Sequence, residues 1–114
     1  MAKKIEFELL ENEVMEKEVK GDYWHGGIGP FVQTQSPGIY YFTNQRVLFK
    51  PSGLFSGSEA LFTLDYNDIQ DAKNCMVGMF IPTGILVTMN NGTKYKFSVL
   101  GRKKWLEFIK SHKA

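Results

Sequence analysis

The chain is 114 residues long, carries a formal net charge of +2, and is 43% hydrophobic, 23% charged and 14% aromatic. This length is enough for one hydrophobic core, so we expect a single domain over 1–114 with its core at 11–113, and the composition excludes a disordered chain. The small net charge excludes a nucleic-acid-binding assignment from bulk charge alone, so any electrostatic partner must meet a local patch.

Before its tail, the chain is predicted to consist mostly of β-strands. A weak first strand is expected over 14–20. A hairpin is predicted over 38–50, where Thr43, Asn44 and Gln45 interrupt two runs of β-branched and aromatic residues. Two shorter apolar runs complete this group of predicted strands: 60–66 and 72–80.

The strongest β signal is a hairpin over 83–99 (TGILVTMNNGTKYKFSV). Apolar residues alternate on both sides of Asn90, Asn91 and Gly92, and asparagine and glycine supply the positive φ angles that tight turns need. The residues predicted to share the apolar faces of the two arms are Ile85, Val87, Met89, Tyr95, Phe97 and Val99. With this hairpin, the sequence predicts about seven strands.

Residues 21–38 (GDYWHGGIGPFVQTQSPG) are predicted to form a loop, because five glycines and two prolines interrupt any regular pattern. The large rings of Tyr23, Trp24 and Phe31 are unusual in such a loop. They indicate either a loop that contacts a membrane or a partner, or a loop that folds its rings onto the core. A phosphate-binding loop is excluded, because Val32 stands where a G-x-G-x-x-G pattern needs its third glycine.

The tail changes from strand periodicity to helix periodicity. Trp105, Leu106, Phe108 and Ile109 lie on one side of a predicted helix. His112 follows Trp105 by seven residues and is therefore expected to be half-buried on the same side. Seven strands and one amphipathic helix indicate an antiparallel sheet that hides its apolar face by curling or pairing, with the helix closing the open end.

Several short stretches resemble the sequence signature of GRAM domains. GIYYFTNQRVLF at 38–49 is similar to the glycine, aromatic, Thr-Asn and Arg-x-x-Phe pattern of that family, and TLDYNDIQ at 63–70 resembles the strand and Asp-Ile step that follows it. NGTKYKF at 91–97 and the closing helix with Trp105 extend the resemblance over 11–112. It implies the mainly β pleckstrin-homology-like barrel: about seven antiparallel strands in two nearly orthogonal sheets, capped by a C-terminal helix.

The resemblance also implies a rim where the loops over 21–38, 51–59 and 90–92 meet. The lipid- or partner-binding residues expected at this rim are Lys20, Tyr23, Trp24, Lys50, Phe55 and Lys94. Lysines attract anionic headgroups, while amphipathic rings favour the membrane interface. The alternative is that the lysines are solvated strand ends and that the rings pack on the barrel.

Two features argue against one specific headgroup pocket. No basic residue occurs between Lys20 and Arg46, whereas lipid-binding pleckstrin-homology domains carry basic residues there. The cations at 102–104 begin the helix and are predicted to lie away from the three-loop rim, as a solvated turn or a contact for an acidic partner. Weak attraction to an anionic membrane is the lipid function that remains.

The competing function is protein binding or self-assembly without lipid contact. The run MVGMFIPTG at 76–84 is more apolar than one buried strand face requires, so any exposed part would be an interface. Single-stranded nucleic-acid binding through Tyr40 and Phe42 has weak charge support, and nucleic acid is not an expected partner.

No catalytic site, metal site or cofactor is expected. The histidines are His25 and His112, the single cysteine is Cys75, and the aspartates within 65–71 lack the remainder of a calcium loop. The sequence therefore favours a non-enzymatic docking module.

The lone cysteine and the absence of a long apolar run bear on location. A single thiol cannot form an internal disulfide, which favours a cytoplasmic setting. No segment approaches the roughly 20 apolar residues of a spanning helix, and acids interrupt the N-terminal stretch where a secretory signal would be apolar. We expect a cytoplasmic protein, with peripheral contact at the inner membrane face under the lipid hypothesis.

Overall fold

The computed structural model describes residues 9–25, 34–52, 62–77 and 81–113. Within these ranges the chain forms strands, one helical turn and one α-helix. The strands are β1 (Met15–His25), β2 (Thr34–Thr43), β3 (Arg46–Pro51), β4 (Phe62–Asp65), β5 (Ile69–Val77), β6 (Ile81–Met89) and β7 (Lys94–Val99). A 3-10 turn (Tyr66–Asp68) joins β4 to β5, and helix α1 (Arg102–His112) follows β7.

All neighbouring strands are antiparallel and form one sheet in the order β4-β3-β2-β1-β7-β6-β5. The predicted class, mainly β with seven antiparallel strands and a C-terminal helix, is confirmed. The predicted hairpins are β2–β3 and β6–β7. The structure therefore matches the coarse architecture that the periodicity indicated.

The sheet is strongly curled. In a flat sheet of this order, β4 and β7 would lie roughly 19 Å apart, because four strand spacings separate them. The ring of Phe62 on β4 nevertheless stacks on Tyr95 of β7 at a centroid distance of 4.6 Å, and lies 4.8 Å from the ring of Tyr23 on β1. The sheet thus closes around a shared interior as a half-barrel.

The interior is filled by the apolar faces that strand alternation predicted. The buried residues of this core are Val19, Tyr40, Phe42, Val47, Phe49, Phe62, Leu64, Tyr66, Ile69, Ala72, Ile85, Val87, Met89, Phe97, Val99, Trp105, Leu106 and Ile109. Tyr40 and Phe42 have no exposed surface, so the hypothesis that these two rings stack nucleic-acid bases is wrong. Their aromatic character serves packing.

The prediction that 21–38 is a loop is wrong at both ends of the segment. β1 and β2 pair through this region as far as His25 opposite Thr34, so strand structure reaches 25 and resumes at 34. Gly21 lies directly opposite Gly38. Residues 26–33, including the remainder of the glycine-rich stretch, lie outside the described residues.

Gly21 and Gly38 mark close approach between strands. A Cβ atom on Gly21 would lie 2.4 Å from the carbonyl oxygen of Ser98, and one on Gly38 would lie 2.4 Å from that of Lys50. Glycine within a strand commonly marks such a contact or a tight bend. The glycine count misled the sequence prediction, because these two residues allow the sheet to close and do not form a turn.

Helix α1 closes the half-barrel as predicted. The indole of Trp105 stacks on the ring of Phe42 with centroids 4.3 Å apart. His112 is partly buried, as expected, between the rings of Phe108 at 4.2 Å and Tyr66 at 5.0 Å. Gly101 precedes the helix with φ of 79°, a conformation that favours glycine and redirects the chain from β7 into α1.

The Thr-Asn-x-Arg stretch of the β2–β3 turn holds a buried carboxylate. The side chain of Glu13 is fully buried and forms a bidentate ion pair with Arg46, with nitrogen to oxygen distances of 2.8 and 3.0 Å. The Thr43 hydroxyl donates to Glu13 at 2.6 Å, and the Leu10 backbone N–H donates at 2.8 Å. Burial raises the pKa of Glu13, but these hydrogen bonds outweigh it and hold the pKa below its usual value.

The same turn fixes the backbone that precedes β1. The Asn44 side chain accepts from Val14 N–H at 2.7 Å and donates to the Asn12 carbonyl at 3.1 Å. Gln45 donates from its side chain to the Glu11 carbonyl at 2.9 Å. In this chain, the residues that resemble the GRAM signature therefore form a structural clamp between 10–14 and the β2–β3 turn.

Candidate functional site

The structure does not gather the predicted lysines at one rim. Lys20 and Lys50 lie on either side of Ile39, because β1, β2 and β3 pair Lys20 with Ile39 and Ile39 with Lys50. Leu100 follows β7, and its N–H donates to the Lys20 carbonyl at 3.5 Å. Lys94, at the start of β7, is six residues from Leu100. Six strand residues span roughly 20 Å. Phe55 lies outside the described residues.

The two predicted rings within β1 point to opposite faces of the sheet. Tyr23 faces the interior, where its ring lies 5.9 Å from that of Phe49 and stacks on His25 at 4.7 Å. Burial raises the pKa of Tyr23. Trp24 faces outward and donates from its indole nitrogen to the Ser98 hydroxyl at 2.9 Å. Tyr23 is therefore part of the core lining, and only Trp24 remains on an outer surface.

Lys20 instead lies near the cations at the junction between β7 and α1. Leu100 has 83% of its surface exposed, the largest fraction among the large hydrophobic residues that the structure describes. Lys20 adjoins it through the backbone, and Arg102, Lys103 and Lys104 follow it in the first turn of α1. We name these five residues the basic corner.

The cations at 102–104 follow the end of β7 that is opposite to residues 90–92, and they lie close to Lys20, which the sequence had assigned to the three-loop rim. Two neighbouring surface hollows, of about 500 and 790 Å³, meet at Thr83, Val99 and Leu100. The first extends past Lys20 toward the middle of β2 and Ser52, the residue after β3, and the second is lined by all three cations of the helix start. The β1–β7 pairing, which the sequence alone did not reveal, brings the two basic regions together.

The charges at the basic corner are mostly positive. Lys20, Lys103 and Lys104 are exposed, and Arg102 is half-buried. The first turn of α1 contains no acidic residue to offset them. The acids that line the same hollows are Asp22 and Glu107. Lys104 also places its ammonium 5.1 Å from the centroid of the Trp105 ring.

A smaller apolar surface lies where β5 meets β6. Met76 is 56% exposed and Ile81 is 45% exposed, and Val77, which is fully buried, pairs with Ile81. This places part of the predicted apolar run on the surface. Residues 78–80, which include the other two large apolar side chains of that run, lie outside the described residues.

Titratable groups do not converge on a metal-binding arrangement in the described part of the chain, where no group of three His, Cys, Asp or Glu residues has the required proximity. The Cys75 thiol is half-buried, and burial raises its pKa although Lys96, Arg102 and Lys73 act in the opposite direction. Cys75 is therefore a neutral thiol at neutral pH.

Across the described ranges, no helix has the length and apolar character required to traverse a bilayer.

Comparison with known proteins supports the fold and leaves the family open. No protein-family model matches the chain, and no curated protein matches it either. Its structure is similar to the crystal structure of the C-terminal domain of an unknown protein from Leishmania infantum, with a TM-score of 0.67 and 14% sequence identity. That match covers 90% of this chain and 85% of the other. At this identity the similarity concerns the fold alone.

Proposed function

We propose that this protein is a docking module that binds weakly to anionic membrane surfaces through the basic corner. The observation that carries the proposal is Leu100, a large apolar side chain that is almost fully exposed and has cations on both sides. Anionic headgroups would meet Lys20 and the cations of the helix start, while Leu100 would enter the apolar layer below them.

The expected affinity is low. Each exposed lysine near an anionic surface contributes about 1 kcal/mol, and transfer of the leucine side chain contributes roughly 2 kcal/mol. Lys20, Lys103, Lys104 and Leu100 together would thus give a contact of about 5 kcal/mol before the entropy cost of association. Such binding is reversible and depends on salt.

Vesicle co-sedimentation tests the proposal. We expect little binding to phosphatidylcholine vesicles, and binding that rises with the phosphatidylserine fraction and falls with added salt. The double variant Lys103→Glu and Lys104→Glu should bind at least about tenfold more weakly, because two attractions become repulsions. Leu100→Ala should also weaken binding, since it removes the apolar insertion.

Matched variants separate this surface from general effects of charge and hydrophobicity. The double variant Lys17→Glu and Lys110→Glu changes net charge by the same amount at exposed sites away from the basic corner and should retain most binding. Val14→Ala is the control for Leu100→Ala, because Val14 is 55% exposed but lies before β1. Equal binding to neutral and anionic vesicles, or equal losses in the control variants, would contradict the proposal.

We further propose that the half-barrel is a GRAM-type, pleckstrin-homology-like domain whose strands form two nearly orthogonal halves. The strand number, the curled antiparallel sheet and the closing helix support this finer assignment. The clamp made by the Thr-Asn-x-Arg stretch gives a structural reason for that sequence pattern.

Protein contact or self-association is the second candidate function. The exposed side chains of Met76 and Ile81 favour it, because apolar groups at the edge of a sheet can be covered by another chain. β5 is a terminal strand in the sheet order. Under this candidate, docking uses the β5–β6 end and does not depend on lipid.

A further inference from the structure

A second group of cations lies on the outer face of the sheet. The strand register aligns Lys73 with Leu86, Leu86 with Lys96, and Lys96 with Trp24, across β5, β6, β7 and β1. Lys94 lies two residues before Lys96 and therefore on the same face. We name these five residues the outer row, which spans about 14 Å over three strand spacings.

Trp24 lies along this face in a fixed position. Its indole nitrogen donates to the hydroxyl of Ser98, which follows Lys96 by two residues on the neighbouring strand. Ser98 faces outward with Lys96 but is only 9% exposed, as expected if the indole covers it. The Trp24 side chain is half-buried, and this hydrogen bond holds it at the outer face of the sheet.

The charge around the ring is mainly positive. Lys73 and Lys94 are exposed, and Lys96 is half-exposed. Two acids share the outer face near the row: Asp22, two residues before Trp24, and Asp71, two residues before Lys73. The three lysines outnumber them.

The chemistry of the outer row differs from that of a lipid or protein contact. At a membrane interface the indole N–H of a tryptophan hydrogen-bonds toward the aqueous side, but the Trp24 N–H already donates to Ser98. Lysine is depleted from the centres of protein interfaces, and here Lys96 lies opposite Trp24 while Lys73 and Lys94 share its face of the sheet. A partly exposed aromatic ring with cations on the same face of the sheet instead suits an unpaired base on a phosphate backbone.

We propose that the outer row binds single-stranded nucleic acid, with Trp24 stacking on a base and Lys73, Lys94 and Lys96 contacting phosphates. This site uses residues other than those of the basic corner, and Lys96 lies four residues, or roughly 13 Å, from Leu100 along β7. An unpaired strand is required, since a base within a duplex has no π-face available for Trp24. The proposal covers single-stranded DNA and single-stranded RNA, because both carry unpaired bases on a phosphate backbone.

Fluorescence anisotropy with labelled oligothymidylate and oligouridylate tests the proposal. We expect at least one of these probes to bind at low salt and to quench the fluorescence of Trp24. The Trp24→Phe variant, which retains only the buried Trp105, identifies the part of the fluorescence that belongs to Trp24. Trp24→Ala should weaken binding at least about fivefold, whereas Trp24→Phe should retain most of it. Three phosphate contacts predict a slope of roughly −2 for log K against log salt concentration.

Charge variants and competitor ligands complete the test. The double variant Lys73→Glu and Lys96→Glu should weaken binding by more than about tenfold, while Lys103→Glu with Lys104→Glu should leave it nearly unchanged. Duplex DNA and heparin should bind less tightly than the single strands. Comparison of the two labelled probes shows whether the sugar matters.

Several results would overturn the proposal. These are no binding of either single strand at low salt, undiminished binding by Trp24→Ala, or equally tight binding of duplex or heparin. Circular dichroism verifies that each variant is folded. If Trp24→Ala does not fold, Ser98→Ala replaces it, because this variant releases the indole from its hydrogen bond. Undiminished binding by both Ser98→Ala and the double variant Lys73→Glu and Lys96→Glu would contradict the outer row as the site.

Discussion

Glu13→Ala is the substitution that most directly tests the clamp before β1. The Glu13 side chain is fully buried and accepts from Arg46, the Thr43 hydroxyl and the Leu10 N–H. Alanine removes the acceptor of all these hydrogen bonds, including the two that the Arg46 guanidinium donates to Glu13. It also releases the backbone of Leu10 from the β2–β3 turn.

Removing one partner of a buried ion pair costs about 3 to 5 kcal/mol. The side chain of Arg46 is 13% exposed and can gain some hydration in the variant, so we expect a loss near the lower end, about 3 kcal/mol. Chemical denaturation monitored by circular dichroism measures this loss as a lower midpoint with an unchanged slope. Glu11→Ala, at an exposed position in the same segment, is the control and should change stability by less than about 0.5 kcal/mol.

The pH dependence provides a sharper criterion. Because the pKa of Glu13 is lower in the folded protein than its ordinary value of 4.5, its ionised form stabilises the fold above that value, and this stabilisation is lost as pH falls through the lower folded pKa. The stability difference between the wild type and Glu13→Ala should therefore be largest near neutral pH and shrink in acid. A difference that stayed constant from neutral pH to below the folded pKa would refute the electrostatic argument.

Two further predictions concern the sheet. Gly38→Ala would place a Cβ 2.4 Å from the Lys50 carbonyl oxygen and 2.6 Å from ring atoms of Phe49, so the variant should be destabilised by at least about 2 kcal/mol in urea denaturation, and a neutral effect would show that the strands can separate at no cost. If self-association through the β5–β6 end is the function, light scattering should report a mass above the 13.0 kDa of one chain. The double variant Met76→Lys and Ile81→Lys should restore the monomer mass, and a monomeric wild type at every concentration would exclude this function.

The strand faces and the helix could be predicted because local periodicity encodes them. Ile85, Val87 and Phe97 are fully buried where period-2 alternation placed them. Trp105 and Ile109 are buried on the predicted side of α1. These positions follow from which neighbours in sequence share a face, and that relation does not depend on how distant strands are arranged.

The candidate site could not be assembled in the same way. Lys20 and Arg102 are 82 positions apart, and only the pairing of β1 with β7 brings the Lys20 carbonyl to the Leu100 N–H. Trp24 gave a recognisable signal as a large ring in a glycine-rich segment, but the sequence did not show that it lies in a strand and bonds to Ser98. Leu100 gave no signal, because an apolar residue after a strand is usually buried.

The sequence by itself determined the elements of this protein: alternation defined its strands, a change of period defined its helix, and the Asn-Gly turn joined its last two strands. Tertiary structure alone decided whether Gly21 and Gly38 formed a loop or a close strand contact, and which lysines became neighbours. The physical reason is the sequence separation over which each feature acts. Periodicity acts between residues a few positions apart, whereas register and curl arise from pairing across the whole chain, where a shift of one residue would turn every side chain to the opposite face.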